Sequence, residues 1–133
     1  MSLEPPLVLV GIALNATIHD LILESEVFAV NVLAEHAESI SRHFARSIPD
    51  KFSTVPYSLG QLGVPLLEDA LTRLECRLVT RYPGGDHSIF IGEVVSTSTQ
   101  SHSQPLLYFR SNYGRLHSDT TSLITNIASN TVA

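Results

Sequence analysis

The chain has no tryptophan, one cysteine and one lysine among its 133 residues. Cys76 alone cannot form a disulfide within the chain, so burial and hydrogen bonding must hold the fold. A single thiol also excludes a Cys-rich zinc site. With Lys51 the sole lysine, basic residues number 8 against 13 acidic ones, a net charge of −5. That balance excludes a nucleic-acid binder, which needs a basic face for the phosphate backbone. It leaves small anionic ligands open, because they need one pocket rather than a basic surface. Long hydrophobic runs are missing too. The stretch Leu7 to Leu14 falls far short of the roughly 20 residues of a membrane-spanning helix. Glu4, Pro5 and Pro6 precede it, so the positive flank of a secretory signal is absent. No membrane partner is expected, and the expected location is cytoplasmic. Charged residues are few at 16%, yet hydrophobic ones reach 44%, which excludes a disordered chain. The length suits one domain.

What is present reads mainly as β-structure. Leu7 to Ala13 is continuously apolar, as for a strand covered on both faces, and Pro5-Pro6 should bar regular pairing before it. Thr17 to Leu23 reads as a short helix, capped by Thr17, with Ile18, Leu21 and Ile22 as its apolar face. Val27 to Val32 is a second buried strand. From Glu35 the period changes: Leu33, Ala37, Ile40 and Phe44 share one side of an amphipathic helix of about three turns. Residues 47–65 read as loop, punctuated by Pro49, Pro56, Gly60, Gly63 and Pro65. Alternation then places Leu74, Cys76 and Leu78 inward, with Arg73, Glu75, Arg77 and Arg81 on a solvated face. Pro83-Gly84-Gly85-Asp86 is a turn. The strand His87 to Thr97 completes a hairpin, with Gly92 marking a bulge or a close backbone approach. Leu106 to Arg110 is a further strand. The polar stretch beyond Leu116 carries at most a weak helix around Leu123 to Ile127. The pattern predicts an α+β domain, mainly β and barrel-like, over residues 1–116, with a polar tail over 117–133.

Familiar catalytic signatures are missing: no G-x-S-x-G elbow, no Walker loop, no G-x-G-x-x-G. No metal site is expected. His36 and His43 share a helix face two turns apart, too far for ordinary chelation of one ion. His19, His102 and His117 lack local ligand partners and read as structural or solvated. His87 heads a strand after a Gly-Gly-Asp turn; on the residues alone it reads as a solvated turn histidine or a positioned functional one. Asn15-Ala16-Thr17 is either a helix cap or a small anion site at a helix start. Cys76, alternating with leucines, reads as core.

Several segments resemble the flavin reductase-like, FMN-binding split-barrel family. They are Ser2-Leu3-Glu4-Pro5-Pro6-Leu7-Val8, Phe28-Ala29-Val30-Asn31-Val32-Leu33, Gly63-Val64-Pro65-Leu66-Leu67 and Leu74-Glu75-Cys76-Arg77. Gly85-Asp86-His87-Ser88-Ile89-Phe90-Ile91-Gly92-Glu93-Val94 is the most specific of them, and Pro105 to Tyr108 with Tyr113 closes the series. The resemblance implies a split β-barrel, usually a homodimer, that binds FMN or FAD. It implies NAD(P)H-dependent flavin reduction, with hydride passing from nicotinamide C4 to flavin N5 and reduced flavin going to a separate monooxygenase. By position it implies that Asn31 and the adjoining Val32 backbone contact flavin. Asn15 and Thr17 would lie near the flavin phosphate, His87 at the nicotinamide, and Tyr113 along the same cleft. In that family a Thr/Ser/Asn-rich flavin grip precedes the Ser-Leu-x-Pro-Pro segment, and Ser2 alone represents it here. The expectation is therefore a split barrel incomplete at its N-terminus. The alternative is a non-catalytic split-barrel protein that binds flavin weakly or only dimerises.

Overall fold

The computed structural model describes residues 1–117. In chain order the elements are β1 (Ser2–Leu3), β2 (Pro6–Ala13), α1 (Thr17–Ser25), β3 (Val27–Leu33), α2 (Glu38–Phe44), β4 (Tyr57–Leu59), β5 (Pro65–Leu67), β6 (Ala70–Gly84), β7 (His87–Thr99), β8 (Leu107–Phe109) and β9 (Asn112–Gly114). This is the expected mainly β, α+β domain. The principal sheet is antiparallel and runs in the order β1-β2-β7-β6-β3, flanked by the pairs β4-β5 and β8-β9. The long β6–β7 hairpin forms its centre. The expected helix around Leu123 to Ile127, and all of the tail except His117, lie outside the described residues.

Alternation along the central strands builds the larger core. Val8, Val10 and Ile12 of β2 pack against Ile22, Phe28, Cys76 and Phe90. Gly92 is the close approach that its position in a strand predicts: a Cβ there would collide with the Phe28 ring and lie 3.1 Å from Cys76 Cβ. A second cluster joins Ala37, Ile40, Val55, Leu67 and Ala70, with Leu33 and Phe44 against it.

Several expectations need correction. The strand β2 is not covered on both faces, since Leu9 is 54% exposed on the side away from the core. Pro5-Pro6 does not bar pairing: Leu3 pairs with Pro6 and Ser2 with Leu7, because proline is tolerated at the first position of a strand. Thr17 does not cap α1. Ala16 occupies the cap with extended backbone, no side-chain cap bond forms, and Thr17 is already the first helical residue. The buried side of α1 is His19 and Ile22, whereas Ile18 and Leu21 stay half exposed. Helix α2 is seven residues, shorter than expected. Its approach is held by the Glu35 N–H donating to the Gln104 carbonyl and by an Ala34–Pro105 bridge. Within the presumed loop, Tyr57–Leu59 pairs with Pro65–Leu67. Glu75 is buried rather than solvated. Its carboxylate accepts the Leu62 N–H at 2.9 Å and packs on Gly60, and a register shift between Glu75 and Cys76 breaks the simple alternation. The last strand has a partner, β9, joined through Arg110 and Ser111 at positive φ, as a two-residue hairpin turn requires.

Candidate active site

The hairpin end of the sheet gathers the chemistry. Gly84 pairs with His87 across β6–β7, and Ala13 pairs with His87 across β2–β7. The turn between is Gly85-Asp86, with Gly85 at φ +73°, a left-handed conformation that suits glycine. The Leu14 N–H donates to the Asp86 carbonyl at 3.0 Å, so the end of β2 is tied to this turn. The approach to α1, through Asn15 and Ala16, therefore starts beside His87.

His87 Nδ1 lies 2.7 Å from Asp86 Oδ1. Asp86 belongs to the turn rather than the strand, so strand alternation does not part the two side chains. The hydrogen bond from His87, and then its charge, hold the Asp86 carboxyl below the usual carboxylate range. A carboxylate only accepts, so Nδ1 carries the hydrogen and Nε2 is left for a ligand. His87 lines a cleft of about 410 Å³ with Leu14, Arg81, Tyr82, Gly85 and Ser88. Among the described residues Arg81 has no carboxylate partner. The cleft thus offers an imidazole, an aromatic ring and an uncommitted guanidinium.

Behind the cleft runs a chain of three side chains, in which His19 and Ser88 are buried and Asp20 is exposed. His19 Nδ1 lies 2.9 Å from Asp20 Oδ1, and His19 Nε2 lies 2.9 Å from Ser88 Oγ. The ring also meets the edge of Phe90, with centroids 5.4 Å apart. His19 is the core histidine foreseen as one reading, but its link to the His87 strand was not legible. Its partner Ser88 is 69 positions away.

The other candidate residues separate. Asn15 and Thr17 are exposed at the open first turn of α1. Asn31 lines a different, apolar groove of about 470 Å³ with Ile18, Leu21, Phe44, Phe52 and Val64. Its amide ties β3 to β5: Nδ2 donates to the Pro65 carbonyl at 3.2 Å, and Oδ1 accepts the Leu67 N–H at 2.9 Å. Val32, at 41% exposure, points to the opposite side of β3. Ser2 sits opposite Leu7, six residues along β2 from the Ala13–His87 pair, roughly 20 Å at strand rise. Tyr113 lies over α2: its hydroxyl is 2.8 Å from Ser41 Oγ, and Arg42 covers its ring at 4.7 Å. The fold thus brings His87 to the α1 start with Asn15 and Thr17, and leaves Asn31, Val32, Ser2 and Tyr113 elsewhere. Ser88 and Arg81 are cleft-lining residues that the sequence reading missed, and His19 lies buried behind them.

Cys76 is fully buried, and burial followed by the Glu75 charge pushes its thiol up to about 11, so it serves as core. Among the described residues no three His, Cys, Asp or Glu side chains form a metal cluster, and no helix is long and apolar enough to cross a membrane.

The fold and the Gly-Asp-His turn define a class. The flavin reductase like domain model matches residues 1–117, and the chain belongs to that family. Its architecture is that of the split-barrel flavin reductases. Among individual proteins, the chain is 37% identical over 121 residues to a flavin-dependent monooxygenase reductase subunit, HsaB, of Rhodococcus jostii. That match covers 91% of this chain and 62% of the relative. It is 38% identical to an NADH-dependent FAD reductase of Streptomyces globisporus, covering 90% and 68%. The solved S. globisporus NADH:FAD oxidoreductase SgcE6, in complex with NAD and FAD fragments, superposes with a TM-score of 0.86 at 38% identity. That superposition covers 90% of this chain and 73% of SgcE6. The chain therefore spans about two thirds of the length of these curated relatives.

Proposed function

We propose that this chain is a flavin reductase that oxidises NAD(P)H and reduces FMN or FAD, with hydride passing from nicotinamide C4 to flavin N5. The observation that carries the reading is the junction of the His87 cleft with the open start of α1. A site suited to a nicotinamide and a site suited to a phosphate meet at one end of the sheet, tied by the Leu14–Asp86 hydrogen bond. Family membership supports it.

The start of α1 fits a flavin phosphate. Its cap is an alanine without a side-chain cap bond, and the His19 N–H turns back to the Ala16 carbonyl, so the Thr17 and Ile18 N–H groups stay available to an anion beside Asn15. A bound flavin would supply the hydride-accepting chemistry. The residues of this chain supply placement and electrostatics. His87, anchored by Asp86, presents Nε2 to the nicotinamide, and Arg81 faces the dinucleotide phosphates. Asn31 retains one amide hydrogen for a flavin contact, and Val32 offers exposed backbone beside it. Ser2 and Tyr113 lie away from this junction, and a homodimer is part of the proposal because a second copy can bring them to a shared flavin. The exposed Leu3 and Leu9 beside Ser2 suit such a contact. A relative that is the reductase subunit of a flavin-dependent monooxygenase supports delivery of reduced flavin to a separate monooxygenase. A cytoplasmic location accords with the lone buried thiol.

The test is to titrate purified protein with FMN and FAD and to follow NADH and NADPH oxidation with each flavin present. Steady oxidation is expected. A folded protein that binds flavin but oxidises neither dinucleotide would replace this reading with the non-catalytic one.

A further inference from the structure

Gly11 has no reason inside the fold to be glycine. It lies within β2, where glycine weakens a strand relative to alanine. Strand glycines mark a bulge, a left-handed backbone, a crowded contact or an approach from outside. The first three fail here. The β2–β7 register runs unbroken from Leu7 to Ala13, Gly11 is not at positive φ, and a Cβ on it would meet nothing within 4 Å. An approach from outside the chain remains.

The register gives its direction. Paired residues of an antiparallel sheet share a face, and successive residues alternate. Val8, Val10 and Ile12 pair with Gly92, Phe90 and Ser88 on the core side. Gly11 and Ala13 therefore face the other way, with their partners Ile89 and His87. Across β7, Tyr82 pairs with Ile89 and Gly84 with His87. One row of this outer face is Gly11, Ile89 and Tyr82; the next is Ala13, His87 and Gly84. Helix α1 packs on the opposite face, where His19 meets Ser88. Gly11, Tyr82 and His87 are exposed, and Tyr82 and His87 also line the cleft.

The two rows have one shape and one chemistry. The floor is bare backbone at Gly11 and the half-buried Ile89 side chain, with Tyr82 alongside. Neither row holds a carboxylate, a lysine or an arginine. At the edge stands His87. Its Nδ1 hydrogen goes to Asp86, so Nε2 of the neutral ring is a bare acceptor. Ile89 and His87 are two residues apart, roughly 7 Å at strand rise. A flat, uncharged ring with an N–H donor on its rim matches this surface.

We propose that the dihydropyridine ring of NAD(P)H lies flat on Gly11 and Ile89, with its carboxamide N–H₂ donating to His87 Nε2. The inference rests on the nicotinamide reading of His87 and adds the surface that receives the ring. Gly11 is a specificity-determining residue, because its missing side chain lets the ring reach the sheet. The sheet then covers one face of the ring and leaves the other open.

The test compares tetrahydro-NAD, whose ring gives no hydride, with ADP-ribose, which lacks the ring. Calorimetry on the purified chain, with and without saturating FMN, reads both affinities. The wild type should favour tetrahydro-NAD by about tenfold. Gly11→Leu should lower that ratio to about one and leave the ADP-ribose affinity within about twofold. Gly11→Ala should lower the ratio part-way, while its urea midpoint stays at or above that of the wild type, since the added Cβ meets no protein atom. A glycine needed only for folding would lose stability in both variants and spare the ratio. A ratio unchanged in Gly11→Leu overturns the seat and leaves the reductase reading standing. If that variant instead changes the sedimentation coefficient, a second copy covers this face. If neither compound binds the wild type in either condition, the nicotinamide reading fails and the seat falls with it.

Discussion

The groove beside β3 and the cleft at the β6–β7 turn lean on the same sheet and offer opposite surfaces. The groove is walled by Ile18, Leu21, Phe44 and Phe52, and its two polar side chains are already engaged: the Asn31 amide bonds both Pro65 and Leu67 backbone, and the Ser25 hydroxyl donates to the Leu21 carbonyl. In the cleft, His87 Nε2 and the Arg81 guanidinium remain for a ligand. The difference lies in what each polar group has left after folding, rather than in volume. A site is recognised by unspent hydrogen-bonding capacity on a rigid frame, and the cleft has more of it.

Replacing Phe90 should break both regions together. It is fully buried, packs on the His19 ring and belongs to the core that supports β2, β3 and β6. Phe90→Ala is expected to cost about 3–5 kcal/mol in urea unfolding, with loss of reductase activity at moderate denaturant. His87→Ala should separate the regions. NAD(P)H oxidation is expected to fall about tenfold in kcat/KM, while the unfolding midpoint barely moves. Unchanged kinetics would remove His87 from the site. Asp86→Asn should act more weakly, raising KM for NAD(P)H roughly two- to fivefold, because the exposed anchor only orients the ring. His87 holds the Asp86 carboxyl below its usual range, so the wild-type anchor persists as pH falls through the ordinary carboxylate range and fails only below it. Phe52→Ala opens the groove wall and should leave KM for NAD(P)H within about twofold, since the two regions share no lining residue. A larger shift would join groove and cleft into one site. Smallest of all, iodoacetamide should leave Cys76 unmodified in the folded chain and label it only as the core opens.

Much of this was legible in the sequence, for local reasons. The Gly-Gly-Asp turn, the strand headed by His87 and the crowding at Gly92 depend on neighbours in the chain or on one missing Cβ. Glu75 was misread because alternation assumes an unbroken register, and a bulge lies beside it while the Gly60–Leu62 loop folds over it. Thr17 was misplaced as a cap because cap identity depends on where the preceding turn releases the chain, which here is Ala16. His19 was seen as a residue without neighbours. Its partner in β7 is supplied by tertiary structure alone.

The sheet order carries a consequence for how the molecule is made. Strands β2 and β3 come early in the chain but do not pair with each other; β2 docks on β7 and β3 on β6. Both must wait for a hairpin that is complete only at Thr99. During synthesis β2 and β3 therefore leave the ribosome before the strands on which they dock. The β6–β7 hairpin, whose contacts are local, is placed to form first and to serve as the template that collects them.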